Sequence, residues 1–212
     1  MPTPPNARSV KISDDERGGW SSDRPRRGNA PVRPADVSVR GRVLRPSDTL
    51  RFSPGSLLVV VSPSAGERDK LIARVVEKQS DVFSLDKVRA LVAGRVPADQ
   101  EEERAAQLLD AAVEKRLEAG ETVLLPASSL DPAERERYVR MAHRFKRPRH
   151  LILLEVARDQ VEDDDRAPLN DLRRRLDAGE LGAEGFQTSL RLGGSSIGEV
   201  KRIVFRPPPQ DD

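Results

Sequence analysis

Between Gly55 and Pro63 the chain reads SLLVVVS, five consecutive apolar residues after a single serine. A strand exposed on one face alternates apolar and polar side chains, so an unbroken run of this length belongs to a strand covered on both faces. That is the condition of a parallel sheet between layers of helix. Similar runs recur at DVFSL (Asp81 to Leu85), ETVLLP (Glu121 to Pro126), RHLILLEV (Arg149 to Val156) and VKRIVF (Val200 to Phe205). Helical stretches separate them. EEERAAQLLDAAVEKRLEAG puts Ala105, Leu108, Leu109, Ala112, Val113 and Leu117 on one face and stops at Gly120. DPAERERYVRMAHRFKRP opens with Asp131 as a cap and Pro132 in the first turn. Strands alternating with helices predict an α/β fold of three layers around a mainly parallel, five-stranded sheet. The alternating segment VSVRGRVL, Val37 to Leu44, predicts a half-buried or edge strand leading into it.

Outside this frame the composition changes. Residues 1–36 are rich in Pro, Gly, Ser, Asn and Arg with scattered apolar residues, too few to offset the entropy of ordering, and are expected to be a disordered tail. Arg24, Arg26, Arg27 and Arg33 form a small basic cluster there that could touch a phosphate backbone or remain a solvated linker. The domain is expected over 37–206, and 207–212 (PPPQDD) as a second disordered tail. Within the domain, 158–192 stands apart, an acidic EDDDR followed by helical residues with glycine breaks, and is expected to form a lid or an exposed hairpin of helices.

Composition narrows the chemistry. A net charge of +2 from 37 basic and 35 acidic residues gives no argument for polyanion binding by the whole chain. With no cysteine, disulfides, thiolate catalysis and Cys-based zinc sites are excluded. The two histidines, His143 and His150, lack ligand spacing, so no metal site is expected. The run Asp163, Asp164, Asp165 reads as an exposed acidic turn, Ser128 and Ser129 have no base nearby for nucleophilic work, and GGSSIG at Gly193 to Gly198 reads as a flexible connection. One Trp and five Phe leave few platforms for stacking bases. No segment reaches the roughly 18 apolar residues of a membrane span and the N-terminus has no signal-peptide core. The expectation is a cytoplasmic protein.

The turn after SLLVVV carries the functional question. A phosphate-binding loop, G-x-x-x-x-G-K-[ST], needs glycines that turn backbone N–H groups toward phosphates, a lysine that reaches the terminal phosphates, and a hydroxyl for magnesium. Here those positions fall on Ser62, Pro63, Ser64, Ala65, Gly66, Glu67, Arg68 and Asp69, and no defining position matches. Glu67 puts a carboxylate where a glycine belongs. Arg68 keeps a charge but not a compact ammonium, and Asp69 replaces the hydroxyl. Lys70 lies two residues late, a rotation of roughly 200° on a helix.

Two further segments carry a resemblance. FSLDKVRALVAG (Phe83 to Gly94) resembles the "SSDxxRxxxxG" segment that follows the second strand in the P-loop polynucleotide kinases and their AAA-type relatives. VLLPASSLDPAERERYVRMAHRFKRPRHLILLEV resembles their "VVDATNLxPxxRxxxxxxAxxxxxPxxxxxLDV" segment. The likeness spans Leu57 to about Val156, in order and with matching spacing, and implies a P-loop kinase-like fold. Carried over by position, it implies Asp86 as general base toward an acceptor 5′-hydroxyl and Arg89 as a holder of the acceptor phosphate. It implies Ser62, Ser64, Ala65, Gly66, Arg68, Asp69 and Lys70 as the nucleotide loop, and Arg166, or one of Arg173, Arg174 and Arg175, as a lid arginine. ATP and magnesium are the implied cofactors. The residues alone also allow Asp86 as a helix cap and Arg89 as an i,i+3 ion-pair partner. The family's third-strand Asp and Asn fall on Pro126 and Ser129, which removes a carboxylate from the strand end.

These readings lead to an expected P-loop kinase-like protein with a degenerate nucleotide loop, in which ATP and magnesium binding is weak or lost. It would act by binding a nucleotide, a nucleic acid or a protein partner. The alternatives are an active kinase for a polynucleotide or nucleoside 5′-hydroxyl, with Asp86 as base and Arg68 or Lys70 in the lysine's place, and a structural α/β scaffold.

Overall fold

The computed structural model describes residues 37–207. The expected tail over 1–36, and nearly all of 207–212, lie outside the described residues. The run LLVVV is strand β3, Leu57–Val61, and all five of its residues are buried. Its pleat divides them: Leu57, Val59 and Val61 enter one core, Leu58 and Val60 the other. Each buried Leu or Val contributes about 1.5–3 kcal/mol relative to exposure, so this strand anchors both layers.

The main sheet is parallel throughout. It contains β1 (Arg42–Val43), β3, β4 (Val123–Pro126), β5 (Arg149–Leu154) and β6 (Thr188–Leu192), in the order β1-β6-β5-β3-β4. One face is covered by α3 (Glu101–Glu118), α4 (Pro132–Arg144) and α5 (Asp163–Asp177), whose Leu109, Val113, Leu117, Tyr138, Leu169, Leu172 and Leu176 share a core with β3. The other face is covered by α1 (Ala65–Val75) together with a two-stranded parallel sheet of β2 (Thr49–Phe52) and β7 (Arg202–Phe205). Helix α4 begins as its sequence predicts, with the Asp131 side chain accepting from the Ala133 N–H at 2.9 Å and Pro132 in the first turn.

The five-stranded parallel sheet is as expected, but two of its strands are not those the apolar runs nominate. DVFSL contributes a single bridge, Val82 to Leu124, and the Phe83 N–H donates to the Leu124 carbonyl at 2.9 Å. A 3-10 turn at Gln79–Asp81 precedes that bridge and α2 (Leu85–Val92) begins directly after it, so no strand has room to extend. VKRIVF is β7, paired from Thr49↔Arg202 to Phe52↔Phe205 outside the main sheet. Leu50, Phe52, Ile203 and Val204 are buried, so this ribbon takes the place of a covering helix.

The remaining strand of the main sheet is β6, inside the 158–192 stretch expected as a lid or helical hairpin. It lies between β1 and β5, with Ser189, Leu190 and Leu192 buried. A Cβ at Gly182 would stand 2.3 Å from the Val39 carbonyl oxygen, so the chain leading into β1 packs against this segment backbone to backbone. Helix α5, in the same stretch, buries three leucines in the core. Among the described residues no helix is long and apolar enough to cross a membrane.

Candidate functional site at the carboxyl edge of the sheet

In open α/β sheets ligands bind outside the carboxyl ends of the strands. Between β3 and α1 the chain spends only Ser62, Pro63 and Ser64. Ser64 is the N-cap of α1, its Oγ accepting from the Glu67 N–H at 3.4 Å while its carbonyl accepts from Arg68 N–H at 3.1 Å. Ser62 Oγ accepts from Ser64 N–H at 3.1 Å. Most of the backbone donors that a phosphate loop would turn toward an anion are thus bonded within the turn, and Pro63 has none. Ala65 and Gly66 keep N–H groups without protein acceptors among the described residues, and a Cβ at Gly66 would meet open space.

The charged side chains of the turn are engaged with one another or with the protein. Arg68 is 3% exposed: its Nε donates to Asp69 Oδ1 at 2.8 Å and its guanidinium reaches the Ala127 carbonyl beyond β4. It therefore fastens α1 to the end of β4 and points into the protein, where the expectation has it substituting for a phosphate-binding lysine. Lys70 is exposed and pairs with Glu67 Oε1 at 2.8 Å.

The acceptor-side residues lie at the next strand ends. Asp86 is in the first turn of α2, but the N-cap is Ser84, whose Oγ accepts from Lys87 N–H at 3.2 Å. Asp86 is largely exposed and bound by Arg89 at 2.7 Å, and Arg89 also grips both oxygens of Glu102 at 2.6 and 2.7 Å. The hydrogen bonds from Glu102 and then Asp86 hold the Arg89 guanidinium above its ordinary range, and the Arg89 hydrogen bond holds the Glu102 carboxyl below its own. Pro126 is buried at the end of β4. After it, the Glu134 carboxylate accepts from both the N–H and the hydroxyl of Ser128 and of Ser129, at 2.8–2.9 Å.

Beside the turn, on the β5 and β6 side, a cleft of about 540 Å³ opens between α1, the end of β5 and the short helix α6, Ser196–Glu199. Its apolar wall is Leu71, Leu154, Val156, Ala157 and Ile197, with Gly194 and Gly198 at the rim. Glu67, Lys70, Arg74, Glu155 and Gln160 supply polar groups. Arg74 donates to the Ile197 carbonyl at 2.8 Å. Glu155 is held by Arg173 and, at 3.0 Å, by Arg191. Of the expected nucleotide-binding residues Lys70 lines this cleft, together with Glu67, which stands at a glycine position of the loop.

Arg166 pairs with Asp163 at 2.7 Å on the exposed side of α5, and with Arg158 and Arg173 it borders a neighbouring cavity of about 390 Å³. Arg174 pairs with Asp171 at 2.6 Å and Arg175 with Glu184 at 2.5 Å. Among the described residues no cluster of three His, Asp or Glu side chains is placed to hold a metal ion. Most of the cleft's wall lay outside the residues the sequence nominated. GGSSIG, expected as a connection, was the available signal, since two of its glycines form the rim.

Residues 68–176, about half of the chain, match the profile of a family described as an AAA domain. No curated protein sequence matches the chain. Among solved structures, a candidate kinase from Chloroflexus aurantiacus J-10-fl superposes with a TM-score of 0.41 at 12% identity, over 69% of this chain and 88% of that one. The tunicamycin resistance protein of Deinococcus radiodurans superposes with a TM-score of 0.38 at 17% identity, over 72% and 99%.

Proposed function

The chain belongs to the AAA domain family and has a P-loop kinase-like fold, and from that premise we propose that it is a binding protein that does not transfer phosphate. The observation that carries this reading is Arg68, buried and bonded to Ala127 and Asp69 at the position where the loop chemistry needs a free cation. Phosphoryl transfer is almost entirely positioning and charge stabilisation, so a loop without its lysine and metal-binding hydroxyl forfeits most of the rate. Magnesium ATP does not fit the residues present. Glu67 brings a carboxylate to the polyphosphate position, Asp69 is engaged by Arg68, and Lys70 is engaged by Glu67. The ligand class is a nucleotide-derived small molecule, or a nucleic acid or protein partner assisted by the basic residues of 1–36.

Calorimetric titration with ATP, with and without magnesium, and a phosphate-transfer assay to a 5′-hydroxyl oligonucleotide test the reading. The expected outcome is no magnesium-dependent binding in the micromolar range and no transfer. Magnesium-dependent micromolar binding, or transfer that disappears in Asp86→Asn, overturns it in favour of an active kinase.

A further inference from the structure

The ribbon of β2 and β7 lies outside residues 68–176, the span that matches the family. Its inner face is core, since Leu50, Phe52 and Ile203 are buried against the layer that α1 also lines. The pleat therefore turns Thr49, Arg51 and Arg202 outward. Arg202 stands level with Thr49, and Arg51 lies two residues further along β2, so the two guanidiniums are diagonal neighbours on one face.

Positive charge gathers around this face. Residues 37–52 carry Arg40, Arg42, Arg45 and Arg51 against one carboxylate, Asp48, and residues 200–206 carry Lys201, Arg202 and Arg206 with none. The whole chain has 37 basic and 35 acidic residues, so outside these two segments acid is in excess. Pairing differs as well. Arg89, Arg116, Arg135, Arg173 and Arg191 each hold a carboxylate. By contrast, the exposed side chains of Arg40, Arg42, Arg45 and Arg51 have no ion-pair or hydrogen-bond partner among the described residues. On β7, Glu77 reaches Arg206 at 3.0 Å and Arg202 at 3.9 Å, an exposed pairing that a phosphate displaces at little cost.

Free guanidiniums repel one another, and a polyanion meets them with no protein partner to dislodge. Their planar fork matches the oxygens of a phosphate. The aromatic residues of the ribbon point the other way: Phe52 and Phe205 pack against the core with their rings 5.9 Å apart. No aromatic face is left on the ribbon for stacking unpaired bases, and no aromatic side chain for entering a membrane interface. With one face closed by the core, the ribbon can lie across phosphates but cannot enter a groove to read bases.

We propose that this face binds the phosphate backbone of double-stranded nucleic acid without reading its sequence. The proposal goes beyond the reading of the loop and does not depend on it, since the ribbon and the loop share no residue.

The test measures binding of the full chain to two unrelated duplexes of about 20 base pairs, by fluorescence anisotropy between about 50 and 200 mM salt. Both are expected to bind within about threefold of each other, with affinity falling steeply as salt rises. Arg45→Ala with Arg51→Ala removes two cations that hold nothing else in the fold. That double variant is expected to weaken binding about tenfold, flatten the salt slope by about 2 and leave the unfolding midpoint unchanged. Should it lose stability, Arg51→Gln alone is expected to weaken binding at least about threefold and flatten the slope by about 1. An equal loss of charge at Lys115 on α3, across the sheet from the ribbon, and at Arg95 beyond α2 is expected to leave binding within about twofold.

The proposal is overturned if neither duplex binds, or if the Arg45 and Arg51 variant binds as the parent does, which would assign binding to another surface. It is overturned equally if the Arg95 and Lys115 variant weakens as much, if the two duplexes differ by more than about tenfold, or if a single-stranded oligonucleotide or a phosphatidylserine vesicle binds more tightly than duplex. Phosphate transfer by the chain would overturn the reading of the loop and leave this one standing.

Discussion

The two ends of the main sheet treat polar groups in opposite ways. At the amino end they are sealed in. His150, the second residue of β5, is 7% exposed, its Nδ1 against Thr188 Oγ1 at 2.8 Å and its ring 4.7 Å from that of Phe52. Arg149 beside it is bonded to the Gly185 carbonyl at 2.8 Å and to His143 at 3.1 Å, and Arg147 caps the end of α3 through the Leu117 carbonyl. At the carboxyl end a turn is closed by its own side chains while a cleft stands open next to it. A sheet of this class needs only one working end, and the other is free to be optimised for packing. The carboxyl end is itself divided, because the turn after β3 is closed by its own hydrogen bonds and the cleft beside it is open.

The largest expected effect breaks or sharpens the amino end. Burial, and then the Arg149 charge, lower the His150 pKa from 6.5 to about 4. The folded-state value is depressed, so the contribution is whole above pH 6.5 and is lost as pH falls from 6.5 to 4, where the unfolded chain takes the proton first. Over that window the loss amounts to about 3 kcal/mol, and a His150→Phe variant, compared by urea unfolding at each pH, should show a slope flatter by that amount. If the two slopes coincide, the amino end is not the sealed region described.

Next in size is Arg68. Replacing it with alanine removes a charged hydrogen bond to a buried carbonyl and should lower stability by about 2 kcal/mol in urea unfolding. An Arg68 that served a ligand would lose binding and keep its stability, which would erase the contrast between turn and cleft. Glu134→Ala, which strips four hydrogen bonds from the exposed Ser128–Ser129 turn, should cost about 1 kcal/mol by the same measurement. The smallest effect belongs to Asp86→Asn. Its ion pair with Arg89 is exposed and Arg89 retains Glu102, so the thermal midpoint should move by no more than about 0.5 kcal/mol's worth.

The frame was legible where local pattern decides. Strand β3 announced itself by having no polar face, and α3 and α4 by apolar spacing and by the Asp131–Pro132 start. Pattern fails where the partner decides. VKRIVF is as apolar as a strand of the main sheet, yet it pairs with Thr49–Phe52, and nothing local in either segment names the other. In TSLRL, Leu190 and Leu192 alternate with Arg191 as a strand requires, but the surrounding glycines and helical stretch mask that pattern. At the site, the position of the turn followed from the strand before it. The inward course of Arg68 did not, since an arginine between Glu67 and Asp69 reads as solvated and its true acceptor is 59 residues away. The cap of α2 was one choice among neighbours, and Ser84 holds it instead of Asp86. The cleft was hidden because three distant segments build it.

The pairing of β2 with β7 sets the order of events in folding. Thr49 and Arg202 are 153 residues apart, and β1 likewise waits for β6, so the first strands of the domain have no partner until almost the whole chain is present. Contacts of such separation are made late and slowly, after loop-closure entropy has been met. Helix α1 and the segment 194–198 reach each other only at that stage. The cleft is therefore complete only once the last strands have paired, and any molecule held there would act as a clasp on the last-formed contacts.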